Sequence, residues 1–213
     1  MRDGGFSWYN KNMKKTIIIL AILAILAGGA YLLDRYTSIF DFTRVENPPI
    51  INGDFPSGWM VYENETAGLE ISYPPSCSEA ETLSRNIVTF SCKGKDPTLQ
   101  DTIGIRKIDV PAGKDFKDVI IENTIFDGSG LNPESWSEFK ETKIGDYTFY
   151  KIRTGRFEAN LSYSYYLVRG NMIYDFAFLS HGVVDWTDPN LDEEADSTHV
   201  ILKQMLQTLK LPK

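Results

Sequence analysis

Thr16 to Leu33 reads TIIILAILAILAGGAYLL, eighteen consecutive residues without a formal charge. No other stretch limits the fold of the chain as severely. A helix of that length covers roughly 27 Å, close to the ~30 Å hydrocarbon core of a bilayer. Lys14 and Lys15 stand immediately before it and Arg35 just beyond it, while Tyr31 and Tyr36 fall where amphipathic rings meet headgroups. A helix buried in a soluble core would carry a polar stripe, and this one has none. The run is therefore expected to be a single transmembrane signal anchor over residues 16–33. The basic cluster Lys11, Lys14, Lys15 outweighs Asp34 and Arg35, which assigns residues 1–15 to a short cytoplasmic tail and the remainder to the outer side. The expected address is the cell membrane, single-pass, with an extracytoplasmic body. Two alternatives stay open. Gly28 and Ala30 also suit a signal-peptide cleavage site, and Met13 is a second candidate start. No Cys follows the apolar run, which excludes a bacterial lipoprotein anchor.

At 213 residues the chain accommodates one domain with accessories. Residues 1–36 carry five basic and two acidic side chains, so of the net −7 the remainder holds −10. A body that acidic repels phosphate backbones and excludes nucleic acid as a partner. Residues 34–58 contain Pro48, Pro49, Pro56, Gly53 and Gly58 without sustained periodicity, and read as a flexible linker. From residue 59 to 213 the pattern is that of one α+β domain.

Strands are expected over Trp59–Tyr62, Leu69–Tyr73, Asn86–Phe90 and Ile103–Ile108. A helix follows at Phe116–Glu122, where Phe116, Val119 and Ile120 share a face. Two hairpins come next. Gly145–Asp146 separates Phe139–Ile144 from Tyr147–Arg153, and Gly170–Asn171 separates Leu161–Val168 from Met172–Leu179; glycine first in a two-residue loop suits a type II′ turn. Met172, Tyr174, Phe176 and Phe178 alternate onto one face, as do Leu161, Tyr163, Tyr165 and Leu167 on the neighbouring strand. An aromatic sheet face needs a cover, and the apolar side of Ser197–Leu209 (Ile201, Leu202, Met205, Leu206, Leu209) supplies it. Asp196 or Ser197 is the expected cap of that helix.

Cys77 and Cys92, the two cysteines of the chain, lie at the ends of consecutive strand candidates, and outside the cytoplasm they are expected to form a structural disulfide. No catalytic signature stands out. Ser180–His181–Gly182 lacks a nucleophile elbow, and His199 is expected at the margin of the last helix. The acidic loop offers one weak metal set, Asp185, Asp188, Asn190 and Asp192, with calcium as the cation; its spacing is not that of an EF-hand, and its acids equally suit the following helix N-terminus. No other cofactor is implied. Tyr163, Tyr165 and Tyr166 are core candidates that would suit a protein partner wherever they remain exposed.

W-x-x-Y-x-N-x-x-x-G-L-E-I-S-Y-P (Trp59, Tyr62, Asn64, Gly68, Leu69, Ile71, Tyr73, Pro74) resembles the opening of PsbP-like domains. Leu69 departs from the aromatic residue often found there. Tyr166–Leu167–Val168, the Gly170–Asn171 turn, Ile173–Tyr174 and the closing Thr208–Leu209–Lys210–Leu211 resemble the tail of the same family. The likeness spans residues 57–212 in element order. It implies an antiparallel β-sheet packed between helices, an α/β/α sandwich. Its members include a luminal subunit of the photosynthetic oxygen-evolving complex and a nuclear-import factor that binds a small GTPase, which implies protein binding rather than catalysis and leaves the partner open. The expected function is thus an anchored extracytoplasmic protein-binding or assembly module, not an enzyme. The alternatives are a small-ligand or calcium sensor domain and, behind it, a hydrolase.

Overall fold

The structure, a computed structural model, describes residues 57–80, 86–96 and 98–211. The expected tail, the anchor and nearly all of the linker lie outside these residues. Among the described residues no helix is long and apolar enough to cross a membrane.

Nine strands run through the described residues: β1 (Met60–Asn64), β2 (Leu69–Tyr73), β3 (Cys77–Ala80), β4 (Asn86–Lys93), β5 (Gln100–Asp109), β6 (Lys140–Ile144), β7 (Tyr147–Phe157), β8 (Asn160–Arg169) and β9 (Met172–Ser180). The helices are α1 (Phe116–Asn123) and α2 (Ser197–Gln207), with single 3₁₀ turns at Trp136–Glu138 and Glu193–Ala195. Strands β3 to β9 form one antiparallel sheet in the order β3-β4-β5-β9-β8-β7-β6, and β1 pairs with β2 alone. The α+β class and the antiparallel sheet are as the alternation implied.

Period-two alternation divides the sheet into two apolar faces. One carries Phe90, Ile103, Phe149, Tyr165, Phe176 and Phe178, packed under Leu202, Met205 and Leu206 of α2 and Leu69 and Ile71 of β2. The other carries Ile152, Tyr166 and Ile173 under Val119 and Ile120 of α1. A fully buried side chain of this size contributes about 1.5–3 kcal/mol by leaving water, so α2, with three, is held mainly by packing. Its N-terminus is capped by Asp196, whose carboxylate accepts from the N–H groups of Thr198 and His199. The β1–β2 hairpin is tied to the end of α2: Glu70 and Lys210 exchange backbone bonds of 3.0 and 2.9 Å, and the Ser72 N–H donates to Thr208 Oγ1 at 2.7 Å.

Gly145 and Gly170 take φ of +57° and +60° while Asp146 and Asn171 stay at negative φ, the combination a type II′ turn requires. Two elements depart from expectation. The short strand β3 was not foreseen, because four residues with two exposed polar side chains (Ser78 and Glu79) carry no readable alternation. The β7–β8 hairpin turns at Glu158–Ala159, both at positive φ (50° and 61°). Neither residue type signals such a turn.

Candidate functional site

Strand β7 has eleven residues and its outer neighbour β6 only five, paired from Lys140–Lys151 to Ile144–Tyr147. From Ile152 to Phe157 the outer edge of β7 is therefore not covered by β6. One backbone bond reaches it there among the described residues, from the Asp127 N–H to the Thr154 carbonyl at 2.9 Å. A β-bulge between Arg153 and Gly155 turns this stretch. At Gly155 an added Cβ would lie 2.6 Å from Asp127 Oδ2 and 2.7 Å from Ser162 Oγ, so any larger residue would force the Asp127 and Ser162 side chains to move. The uncovered edge lines a cleft of about 730 Å³ with Asp127, Lys140, Lys151, Arg153, Arg156 and Glu194 among its walls.

The charged walls are organised by the 3₁₀ turn at Glu193–Ala195. Glu193 accepts from Arg153 Nη1 (2.7 Å), from Arg156 Nη1 (2.9 Å) and from the Tyr163 hydroxyl. Glu194 accepts from Lys151 and from Lys203 Nζ (3.0 Å). Arg156 also donates to the Trp186 carbonyl (2.6 Å) and to that of Asp188, so one guanidinium holds the segment between β9 and α2 at three places. Lys140 makes no ion pair among the described residues. Burial works against the Glu194 carboxylate, but the hydrogen bonds from Lys151 and Lys203 prevail and bring its pKa down to about 2. Glu193 is likewise lowered: burial opposes it, and Tyr163, Arg153 and Arg156 outweigh burial. Burial, then the Glu193 carboxylate, push the Tyr163 phenol upward.

His199 lies beneath this network and is fully buried, not at the helix margin where its position in the sequence put it. Its ring stacks on Tyr163 (4.9 Å between centroids) and packs against Phe178 (4.8 Å). Burial lowers its pKa.

The other sequence candidates are dispersed. Cys77 and Cys92 face each other across the β3–β4 ladder and form a disulfide. Asp188 and Asp192 each accept the backbone N–H two residues on, from Asn190 and Glu194; Asp185 is exposed, and its carbonyl accepts from Asp188 N–H. The Asp188 and Asp192 carboxylates thus each cap a local turn, and among the described residues no group of three or more His, Cys, Asp or Glu is placed to hold a metal. Tyr163, Tyr165 and Tyr166 are 9%, 1% and 0% exposed. They are core residues, the first two under α2 and Tyr166 under α1, and of the three Tyr163 also lines the cleft beside β7. Ser180 Oγ lies between Asp101 Oδ2 (3.3 Å) and Asp196 Oδ2 (3.1 Å), and His181 Nδ1 meets Asn160 Oδ1 (2.7 Å). Neither histidine is hydrogen-bonded to a serine side chain among the described residues.

Sequence reasoning missed Lys151, Arg153, Arg156, Glu193 and Glu194. They come together through register: Lys151 and Arg153 stand opposite Tyr165 and Tyr163 on the aromatic side of β7, and no pattern within one strand signals that pairing.

No protein-family model matches the chain, and no curated protein does. Among solved structures it is similar to a protein of Bacteroides thetaiotaomicron VPI-5482 at 15% identity and a TM-score of 0.47, covering 74% of this chain and 50% of that one. The chain thus spans about half the length of that protein. It is also similar to cyanobacterial PsbP from Synechocystis sp. PCC 6803 (8% identity, TM-score 0.45, 76% of this chain and 97% of that one). A third is LpqN of Mycobacterium tuberculosis, described as involved in cell envelope biogenesis (11%, TM-score 0.41, 68% and 83%). At these scores the likeness carries no argument about family or role. The α+β architecture stands on the strand register alone.

Proposed function

We propose that the chain is a membrane-anchored, extracytoplasmic binding module that receives an extended segment of a protein partner in the cleft beside β7. The observation that carries this reading is the mismatch of β6 and β7, which leaves strand edge open beside cationic side chains. An open edge recognises an extended peptide through its own main-chain groups, with flanking pockets adding specificity. The resemblance of both ends of the domain to PsbP-like domains supports a binding role, and the disulfide supports an oxidising compartment. The volume favours one second reading. A cleft of about 730 Å³ also falls in the size range of small-ligand sites.

The test places a photo-crosslinking amino acid at Lys140, on the cleft wall, and at Val61 on β1, which is 59% exposed and does not line the cleft. In membranes from the native host the binding reading expects a discrete polypeptide adduct from position 140 and none from position 61. Equal labelling from both sites, or none from position 140, removes it. Ligand-dependent protection of β7 without a polypeptide adduct would favour the small-ligand reading.

A further inference from the structure

We propose that the segment received beside β7 is an amphipathic strand, acidic at alternate residues toward Lys140 and Arg153 and apolar at the residues between. This deepens the binding reading above and rests on it. The receiving edge has two unlike sides. Lys151 and Arg153 stand opposite Tyr165 and Tyr163, and beyond the bulge Arg156 stands opposite Leu161, so the three cations share the α2 side. Ile152, opposite Ser164, and Phe157, opposite Asn160, take the other side. The bulge between Arg153 and Gly155 keeps that order, because in a regular strand residues three apart fall on opposite faces. Lys140, paired with Lys151, ends β6 on the cationic side. A strand that continues the line of β6 along Ile152–Phe157 thus sets every second side chain beside Lys140 and Arg153. Its remaining side chains meet Phe126, Ile152 and Phe157, which also line the cleft.

What the cleft groups leave unused decides the sign of the partner. Every carboxylate there already accepts: Glu193 from Arg153, Arg156 and Tyr163, and Glu194 from Lys151 and Lys203. Asp127 accepts from Ser162, and Glu138 from the Glu134 and Ser135 N–H groups. Arg156 is engaged through Nε and both terminal nitrogens. Lys140, by contrast, is exposed and makes no ion pair among the described residues, and Arg153, also exposed, donates there through Nη1 alone. A guanidinium has five N–H donors. The spare donors are therefore cationic, and a carboxylate opposite them on a neighbouring strand is their complement. The apolar side is unfinished as well. Phe126 and Phe157 are half-buried. Next to Phe126, Ile125 is 58% exposed, and Leu131, whose carbonyl accepts from the Phe126 N–H, is 66% exposed. A strand that is acidic on one side and apolar on the other completes both.

Fluorophore-labelled octapeptides titrated with the full-length chain in detergent, read by anisotropy, test it. The probes are alternating Glu and Val, alternating Lys and Val, alternating Glu and Ser, and a block of Glu followed by a block of Val. Alternating Glu–Val should bind about tenfold tighter than each of the others, and added salt should weaken it. Lys140→Glu alters an exposed side chain and should lower that affinity by about tenfold. Equal or tighter binding of the Lys–Val, Glu–Ser or block peptide, an unchanged affinity in Lys140→Glu, or no binding of any probe overturns the proposal. The crosslink from position 140 separates the two levels of the reading. A polypeptide adduct whose labelled segment lacks the acidic–apolar alternation overturns the strand chemistry and leaves the binding module standing, whereas no polypeptide adduct removes both.

Discussion

Ala159 and Glu158 complete a two-residue hairpin turn in a backbone region that disfavours side chains, with φ of 61° and 50°. The left-handed conformation costs an L-residue about 1–2 kcal/mol, and part of that strain is recovered by glycine, less the entropy glycine loses on folding. Ala159→Gly is therefore expected to stabilise the domain by about 0.5–1 kcal/mol, measured by urea unfolding. An unchanged or lowered midpoint would mean that the turn is relaxed by contacts elsewhere. Arg106 and Asp175 are a second place where residue identity decides. The guanidinium donates to Asp175 Oδ2 at 2.6 Å and to the Asn123 carbonyl at 2.7 Å, binding β5, β9 and the end of α1, while Asp175 Oδ1 has no partner among the described residues. Burial pushes the Asp175 carboxyl upward against the pull of Arg106, the usual tension of an ion pair taken out of water. Nothing in the local sequence marks either feature. Asp175 is read from alternation as facing away from the aromatic row, but its partner lies 69 positions away.

At the scale of elements, the 3₁₀ turn at Glu193–Ala195 is held by charge more than by apolar burial, since none of its residues is buried. Its acid response follows from the sign of the Glu194 shift. The folded pKa is about 2 and the unfolded value 4.5, so the stabilisation from Glu194 is complete above pH 4.5 and is lost as pH falls from there towards about 2. Stability measured against pH should accordingly drop across that window, and Glu194→Gln should flatten the drop. Identical acid limbs for the two proteins would mean that Lys151 and Lys203 do not hold this carboxylate in solution. Helix α2 behaves differently. Its apolar stripe, its cap at Asp196 and its role as cover for the aromatic face were legible because all three are written within a dozen consecutive residues. The burial of His199 on the same helix was not, because it depends on which rings of β8 and β9 meet it.

For the molecule as a whole, the disulfide couples an edge to the core. Strand β3 has four residues and one neighbour, and Cys77 and Cys92, 2% and 1% exposed, join it to β4 from within the main apolar cluster. Closing a loop of 15 residues is worth about 3 kcal/mol in the chain-entropy account, so Cys77→Ala with Cys92→Ala should lower unfolding stability by about that amount. No loss would place the anchorage of β3 in its packing alone. The sequence by itself determined what is local: strand alternation, the stripe of α2, the two glycine-first hairpins, the disulfide pair, and an uncharged run matched to a bilayer. Tertiary structure alone decided that β5 pairs with β9, that β6 stops short of β7, that the tyrosines are core and that two glutamates gather four cations. Those outcomes depend on register between segments tens of residues apart, and periodicity within a strand says nothing about which strand it will lie beside.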